Sequence, residues 1–260
     1  MLYHPEFDPI ALQIGPLAVR WYGLMYLIGF GLGLMLGRLR IRANQNPSIS
    51  IRQFDDLLFY IILGVILGGR LGYSIFYDLT NVIRMPISVF YVWEGGMSFH
   101  GGLIGVCAAV AMYARQKKQN WLVLTDFIAP LVPLGLAAGR IGNFINGELW
   151  GRPTDVPWAM VFPQSGSLVG RHPSQLYEFF LEGVVLFVIL WVSSRKKTSV
   201  GITSGLFLVF YGLFRFVIEL MREPDAHLGI LSSGLSMGQW LCVPMLFIGL
   251  FLLLRGKKLE

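Results

Sequence analysis

Apolar stretches of about 17 to 22 residues recur from one end of this 260-residue chain to the other. A helix rises about 1.5 Å per residue, so each stretch is long enough to cross a hydrocarbon layer of about 30 Å. Seven such windows predict membrane-spanning helices over residues 17–37, 57–77, 97–114, 122–141, 175–193, 201–220 and 237–254. Composition agrees: 55% of residues are apolar, 14% are charged and the mean hydropathy is +0.61. A soluble domain of this size carries about a quarter charged residues. The expectation is an all-α polytopic membrane protein forming a single transmembrane domain over residues 1–260.

Charge sets the expected orientation. Arg38, Arg40, Arg42 and Arg52 follow the first window, and Arg115, Lys117 and Lys118 the third. Arg195, Lys196 and Lys197 follow the fifth, and Arg255, Lys257 and Lys258 the seventh. The other set of connections holds Arg84, Arg152, Arg171 and Arg222. By the positive-inside rule the lysine-rich set is cytoplasmic, which puts the N-terminus outside and the C-terminus inside. The formal charge of +6 is then concentrated where anionic lipid attracts it, and no nucleic-acid partner is needed to explain it. The connection 142–174, rich in glycine and proline, reads as a small external cap, and 221–236 as a second outward loop carrying Arg222, Glu223, Pro224, Asp225 and His227.

The N-terminal segment has Glu6 and Asp8 but no basic run, unlike a cleavable signal peptide. Cys107 and Cys242 lie in apolar windows and read as packing residues. Glycines spaced three and four apart, at 64, 68, 69 and 72, at 101 and 105, and at 135, 139 and 142, permit close helix approach. Those beside an ionisable residue, Gly69, Gly101 and Gly139, could also clear room for a ligand.

Polar residues inside the spans carry the functional signal. Counting from the outer ends, Tyr22 lies about 9 Å deep, His100 about 6 Å, and Arg70, Arg140 and Arg215 about 8 to 10 Å. Five helices thus deliver polar groups to one layer, where a charge is costly unless it meets protein, water or a counter-charge. Three arginines with few acids beside them suit an anionic ligand such as a phosphate. Capping of helix ends and pairing with Asp78, Glu94 or Glu148 is the structural alternative. Tyr211, Arg215 and Glu219 are four apart and share a helix face, where an intrahelical ion pair would also account for Arg215 and Glu219. Arg140 and Asn143 share another face, followed by Asn146, Gly147, Glu148 and Gly151 where the helix ends and Glu148 can fold back. His100 is the candidate general base, or else a histidine satisfied by a backbone carbonyl. His172, Pro173, Gln175 and Glu178 open the fifth window and read equally as capping or substrate contacts. No HExxH, DxxD or thiolate-cluster pattern points to a metal.

Six motifs in order then carry a resemblance: RWYGL at 20–24, GGRLGY at 68–73, WEGGMSFHGG at 93–102, GRIGNFINGELWGR at 139–152, HPSQLYE at 172–178 and YGLFRFVIE at 211–219. The sequence resembles the bacterial prolipoprotein diacylglyceryl transferases over nearly its whole length. The resemblance implies a seven-helix enzyme of the inner membrane, active on the periplasmic side, with no metal or dissociable cofactor. It implies transfer of the diacylglyceryl group of phosphatidylglycerol to the lipobox cysteine of a prolipoprotein. Position by position it marks Tyr22, His100, Arg140, Asn143, Glu148, Gly151, Tyr211, Arg215 and Glu219. On this reading His100, Arg140, Arg215 and Tyr211 are catalytic, while Tyr22, Arg70, Asn143, Glu148, Gly151 and Glu219 bind substrate. A transporter or flippase of a phosphorylated lipid is the alternative. It should show polar residues through the full membrane thickness, whereas the inner halves here are almost uniformly apolar.

Overall fold

A computed structural model describes residues 2–15, 17–43, 49–91, 96–195, 199–223 and 234–257. Trp93, Glu94 and Gly95, Lys196 and Lys197, Pro224, Asp225 and His227, and Lys258, all singled out above, lie outside the described residues. The chain divides into two compact units, residues 1–37 with 126–260, and residues 38–125.

All seven apolar windows are helical. The first is α1 (Trp21–Arg42) and the second α2 (Ile51–Phe76), followed by a short α3 (Leu79–Arg84) and the 3-10 turn Pro86–Phe90. The third is α4 (Phe99–Gln116), and the fourth divides into α5 (Trp121–Ile128) and α6 (Val132–Ile145), bent by 50°. The fifth is one continuous run, α7 (Ser174–Glu178), a π-helical segment (Phe179–Val185) and α8 (Leu186–Ser193). The sixth and seventh are α9 (Ile202–Ile218) and α10 (Met237–Lys257). Among the described residues four helical runs are long and apolar enough to cross a membrane, five if the bent pair is one span, while α9 is apolar but shorter. The chain is an all-α polytopic membrane protein with a small β component.

Two windows differ from expectation for local reasons. Pro130 and Pro133 interrupt the fourth, since proline lacks an N–H and disfavours helical backbone in the residue before it. The first starts late because residues 17–20 pair as a strand. There β2 (Ile10–Ile14) runs antiparallel to β3 (Leu17–Arg20), with Gly15 at φ +59° between them.

In the second unit, α2 begins on a capping box formed by Ser50 and Gln53, and Ser98 caps α4 by accepting from the Gly101 amide at 3.2 Å. The two helices meet through glycines at four-residue spacing. A Cβ built on Gly64 would stand 2.6 Å from the Gly105 carbonyl oxygen, and one on Gly72 would stand 2.7 Å from the Gly101 Cα. Gly68 packs on the Gly101 carbonyl in the same way. A Gly68→Val substitution drives the helices apart and costs about 1–3 kcal/mol, the usual penalty of overpacking. Thermal unfolding in detergent checks it, with a wild-type midpoint refuting the packing role.

In the first unit, Asp126 of α5 fixes the start of α9. Its carboxylate accepts from the Gly201 amide at 2.6 Å, the Ser204 amide at 2.7 Å and the Ser204 hydroxyl at 2.6 Å. An acid there satisfies orphan amides and complements the helix dipole. The N-terminus joins the segment after α6, where β1 (Leu2–Tyr3) pairs in parallel with β4 (Met160–Val161). His4 is buried, stacks on Phe162 with ring centroids 5.1 Å apart, and lies 2.6 Å through Nε2 from the Phe144 carbonyl oxygen.

Candidate active site

Three helical elements of the first unit converge on one cluster of charges. Gly183 lets the π segment press against α6, because a Cβ there would stand 2.6 Å from the Ala137 methyl. That approach brings Arg140 of α6 onto Glu178, with Nε 2.7 Å from Oε2. Arg215 of α9 reaches the same carboxylate from its other side, Nη1 donating to Oε1 at 2.6 Å. Arg215 Nη2 lies 2.9 Å from Glu219 Oε2, one turn along. Glu182 stands 3.6 Å from Arg140 and 3.7 Å from Arg215. Arg222 completes the group, 3.8 Å from Glu219 and 3.9 Å from Glu178. The side chains of Glu178 and Glu182 have 0% exposure, against 16% for Arg140 and 11% for Arg215.

The expectation of arginines with few acids nearby is therefore overturned. Among the described residues neither Asp78 nor Glu148 forms an ion pair with Arg140 or Arg215; their partners are Glu178, Glu182 and Glu219. Glu178 had read as a capping or contact residue of the fifth window and Arg222 as a residue of an outward loop, and the sequence reading had not singled out Glu182. A signal was present: Glu178 and Glu182 are four apart in an otherwise apolar helix, and buried acids need partners. The π segment between and beyond them is a backbone feature often found at functional sites.

The end of α6 is tied over this cluster. Asn143 and Asn146 both donate to Glu148 Oε1, at 2.9 and 3.2 Å, so Glu148 does fold back. Leu149 sits at φ +60°, a strained conformation for a bulky residue. Its carbonyl accepts from Ser174 at 2.9 Å, and the Glu148 carbonyl accepts from Gln175 at 2.6 Å, so α7 holds the strained turn. Gly151 donates to the His172 carbonyl at 2.8 Å, and a Cβ there would stand 2.6 Å from both the His172 Cβ and the Met221 carbonyl oxygen. Glycine at this position lets the segment lie against the chain leaving α9, where Arg152 donates to the Arg222 carbonyl at 3.0 Å. Burial holds the His172 imidazole below its ordinary pKa, with Nδ1 3.1 Å from the Tyr177 hydroxyl. Gly238 of α10 clears the space for Glu219, since a Cβ there would stand 2.7 Å from its carboxyl carbon.

Two tyrosines border the cluster. Tyr22 lies within electrostatic range of Glu148 and Arg140, and its hydroxyl is 3.3 Å from that of Tyr26. Tyr211 stacks on Phe207 and lies within range of Glu182, Arg215, Arg140 and Glu178. Eight of the ten expected site residues thus belong to the first unit. Arg70 and His100 belong to the second. There the Arg70 guanidinium donates to the carbonyls of Ser88 at 2.6 Å, Val89 at 3.0 Å and Gly96 at 3.3 Å, closing the loop after α3. His100 is exposed in the first turn of α4.

The sequence profile of the prolipoprotein diacylglyceryl transferase family matches residues 9–255. The chain belongs to that family. Among its relatives, a phosphatidylglycerol–prolipoprotein diacylglyceryl transferase of Bordetella bronchiseptica is 60% identical over 249 residues, covering 96% of this chain and 95% of that protein. Proteins of the same description from Cupriavidus pinatubonensis, 59% identical over 96% of this chain and 91% of their own, and Nitrosomonas europaea, 58% identical over 97% and 91%, are similarly close. The charge cluster thus lies in a prolipoprotein diacylglyceryl transferase family member.

Proposed function

We propose that this chain transfers the diacylglyceryl group of phosphatidylglycerol to the lipobox cysteine thiol of prolipoproteins, forming a thioether and releasing glycerol phosphate. The observation that carries the reading is the 60% identity, over 96% of the chain, to a protein of that description. The arginine cluster supports it chemically. Arg140 makes its short contact through Nε, while Nη1 is 3.5 Å from Asn143 and Nη2 3.6 Å from Glu182. Its outer edge is loosely held, which suits the bidentate grip a guanidinium offers a phosphate.

In this reaction the thiolate sulfur bonds to the glyceryl carbon while that carbon's bond to the phosphate oxygen breaks. Arg140 and Arg215 hold the phosphate and stabilise the charge that builds on it as it leaves. His100 accepts the thiol proton, and Tyr22, Asn143, Glu148 and Glu219 shape the pocket through the contacts described above. Arg70 keeps the loop beside α4 in place. The seven windows form seven spans with the N-terminus periplasmic, the C-terminus cytoplasmic and 142–174 as a periplasmic cap, a reading supported by the one-sided lysines and arginines. The enzyme sits in the bacterial inner membrane and works at the periplasmic side without a cofactor.

The test mixes purified protein, phosphatidylglycerol and a lipobox peptide and follows peptide mass with glycerol phosphate release. A diacylglyceryl mass gain on cysteine matched by headgroup release is expected; its absence with folded protein refutes the reading. Tyr211→Phe adds a finer check. The Tyr211 hydroxyl makes no hydrogen bond to another described residue, so its loss leaves the unfolding midpoint unchanged. A hydrogen bond to a charged ligand is worth about 1.5–3 kcal/mol, so turnover falls about 10- to 100-fold. Unchanged turnover removes Tyr211 from the chemistry.

A further inference from the structure

Arg140, Arg215 and Arg222 face Glu178, Glu182 and Glu219, so with every group ionised the charges of these six described side chains cancel. A phosphodiester headgroup adds a negative charge to a site whose acids are closed to solvent. Uncompensated charge in such a place is strongly unfavourable. The cluster has to gain a proton when the lipid binds, or give up an ion pair.

One acid is placed to take that proton. Glu178 is held on both oxygens, at 2.7 and 2.6 Å, and Glu219 at 2.9 Å. Glu182 approaches its two arginines only at 3.6 and 3.7 Å, beyond hydrogen-bonding distance, and both its oxygens lack a hydrogen-bond partner among the described residues, where Glu178 and Glu219 each have one such oxygen. Protonating Glu178 would break two short contacts, whereas protonating Glu182 breaks none. The groups facing it are Arg140 from α6, Glu178 from α7, Tyr211 and Arg215 from α9, Arg222 beyond α9, and Cys242 from α10. Its place in the π segment aims it between the same two guanidinium groups that would grip the phosphate.

We propose that Glu182 is a proton-holding residue that takes up one proton as the lipid phosphate binds to Arg140 and Arg215, and returns it when glycerol phosphate leaves. The guanidinium groups then exchange a carboxylate for a phosphate at constant total charge. The proton comes from solvent and goes back to it, so the stoichiometry of transfer is untouched. Glu182 acts through the arginines and is a positioning residue, distinct from the groups that contact the reacting atoms. This inference rests on the transferase reading.

Calorimetric titration of the full-length protein with phosphatidylglycerol, without peptide, in two buffers of different ionisation enthalpy near pH 7 counts the protons taken up. Phosphatidylcholine serves as the control lipid. Wild-type protein should take up close to one proton per phosphatidylglycerol bound. Glu182→Gln should bind the lipid with uptake near zero, and Glu182→Asp, the same acid on a shorter arm, should restore it. Lipid binding by the wild type without uptake overturns the inference and leaves the transferase reading standing, and this arm needs no variant to fold. Full uptake by Glu182→Gln also overturns it. No preference for phosphatidylglycerol over phosphatidylcholine overturns the transferase reading, and this inference with it.

Discussion

Arg215→Ala is expected to abolish diacylglyceryl transfer. Two effects combine at this residue. Loss of one charged donor aimed at a leaving group costs about 10²- to 10³-fold in rate. The substitution also strips Glu178 and Glu219 of contacts at 2.6 and 2.9 Å, leaving buried carboxylates short of a counter-charge. Removing one partner of a buried ion pair destabilises by about 3–5 kcal/mol, so the unfolding midpoint falls as well. Arg215→Lys separates the two, because lysine keeps the charge but loses the planar fork. It should retain most of the stability while transfer stays low. Measured peptide lipidation together with thermal unfolding decides the matter, and wild-type transfer by a correctly inserted Arg215→Ala protein would sink the mechanism.

Glu178→Gln is expected to be nearly as damaging, although Glu178 contacts no substrate in this mechanism. Its carboxylate is the common anchor of Arg140 and Arg215, which lie on different helices and would otherwise repel. Glutamine keeps the shape but presents an NH2 group to one guanidinium and removes the intervening negative charge. The expected cost is about 3–5 kcal/mol of stability, with transfer down at least about 100-fold. Glu182→Gln should cost less stability, since its contacts are about 1 Å longer by comparison of 3.6 and 3.7 Å with 2.7 and 2.6 Å. Equal midpoints for wild type and Glu178→Gln would refute the anchoring role.

The helices were legible because hydrocarbon demands long apolar runs whatever their neighbours. Their interruptions were partly legible: Pro130 and Pro133 are visible signals for the bend between α5 and α6, whereas the strand at 17–20 hides inside an apolar window. Glycine spacing also announced a close helix approach, because a four-residue period puts Gly64, Gly68 and Gly72 on one helix face, while the tertiary structure decided that α4 is the partner.

The site was legible only as a set of candidates. Arg140, Asn143, Tyr211, Arg215 and Glu219 stood out because polar groups inside a span require a reason. The Arg215–Glu219 pair was legible from its four-residue spacing, but the shared acids were not, since Glu178 looks like part of a helix start and Glu182 belongs to no motif. Pairing across helices depends on which faces meet, and that was decided by contacts such as Gly183 on Ala137.

By itself, then, the sequence determined that this chain is a membrane protein, where its helices run and which polar residues need explaining, since those are consequences of local polarity along the chain. Only the tertiary structure decided that the arginines are already neutralised by three buried acids. Ion-pair partners four residues or seventy residues apart are equivalent once the backbone brings them within about 4 Å.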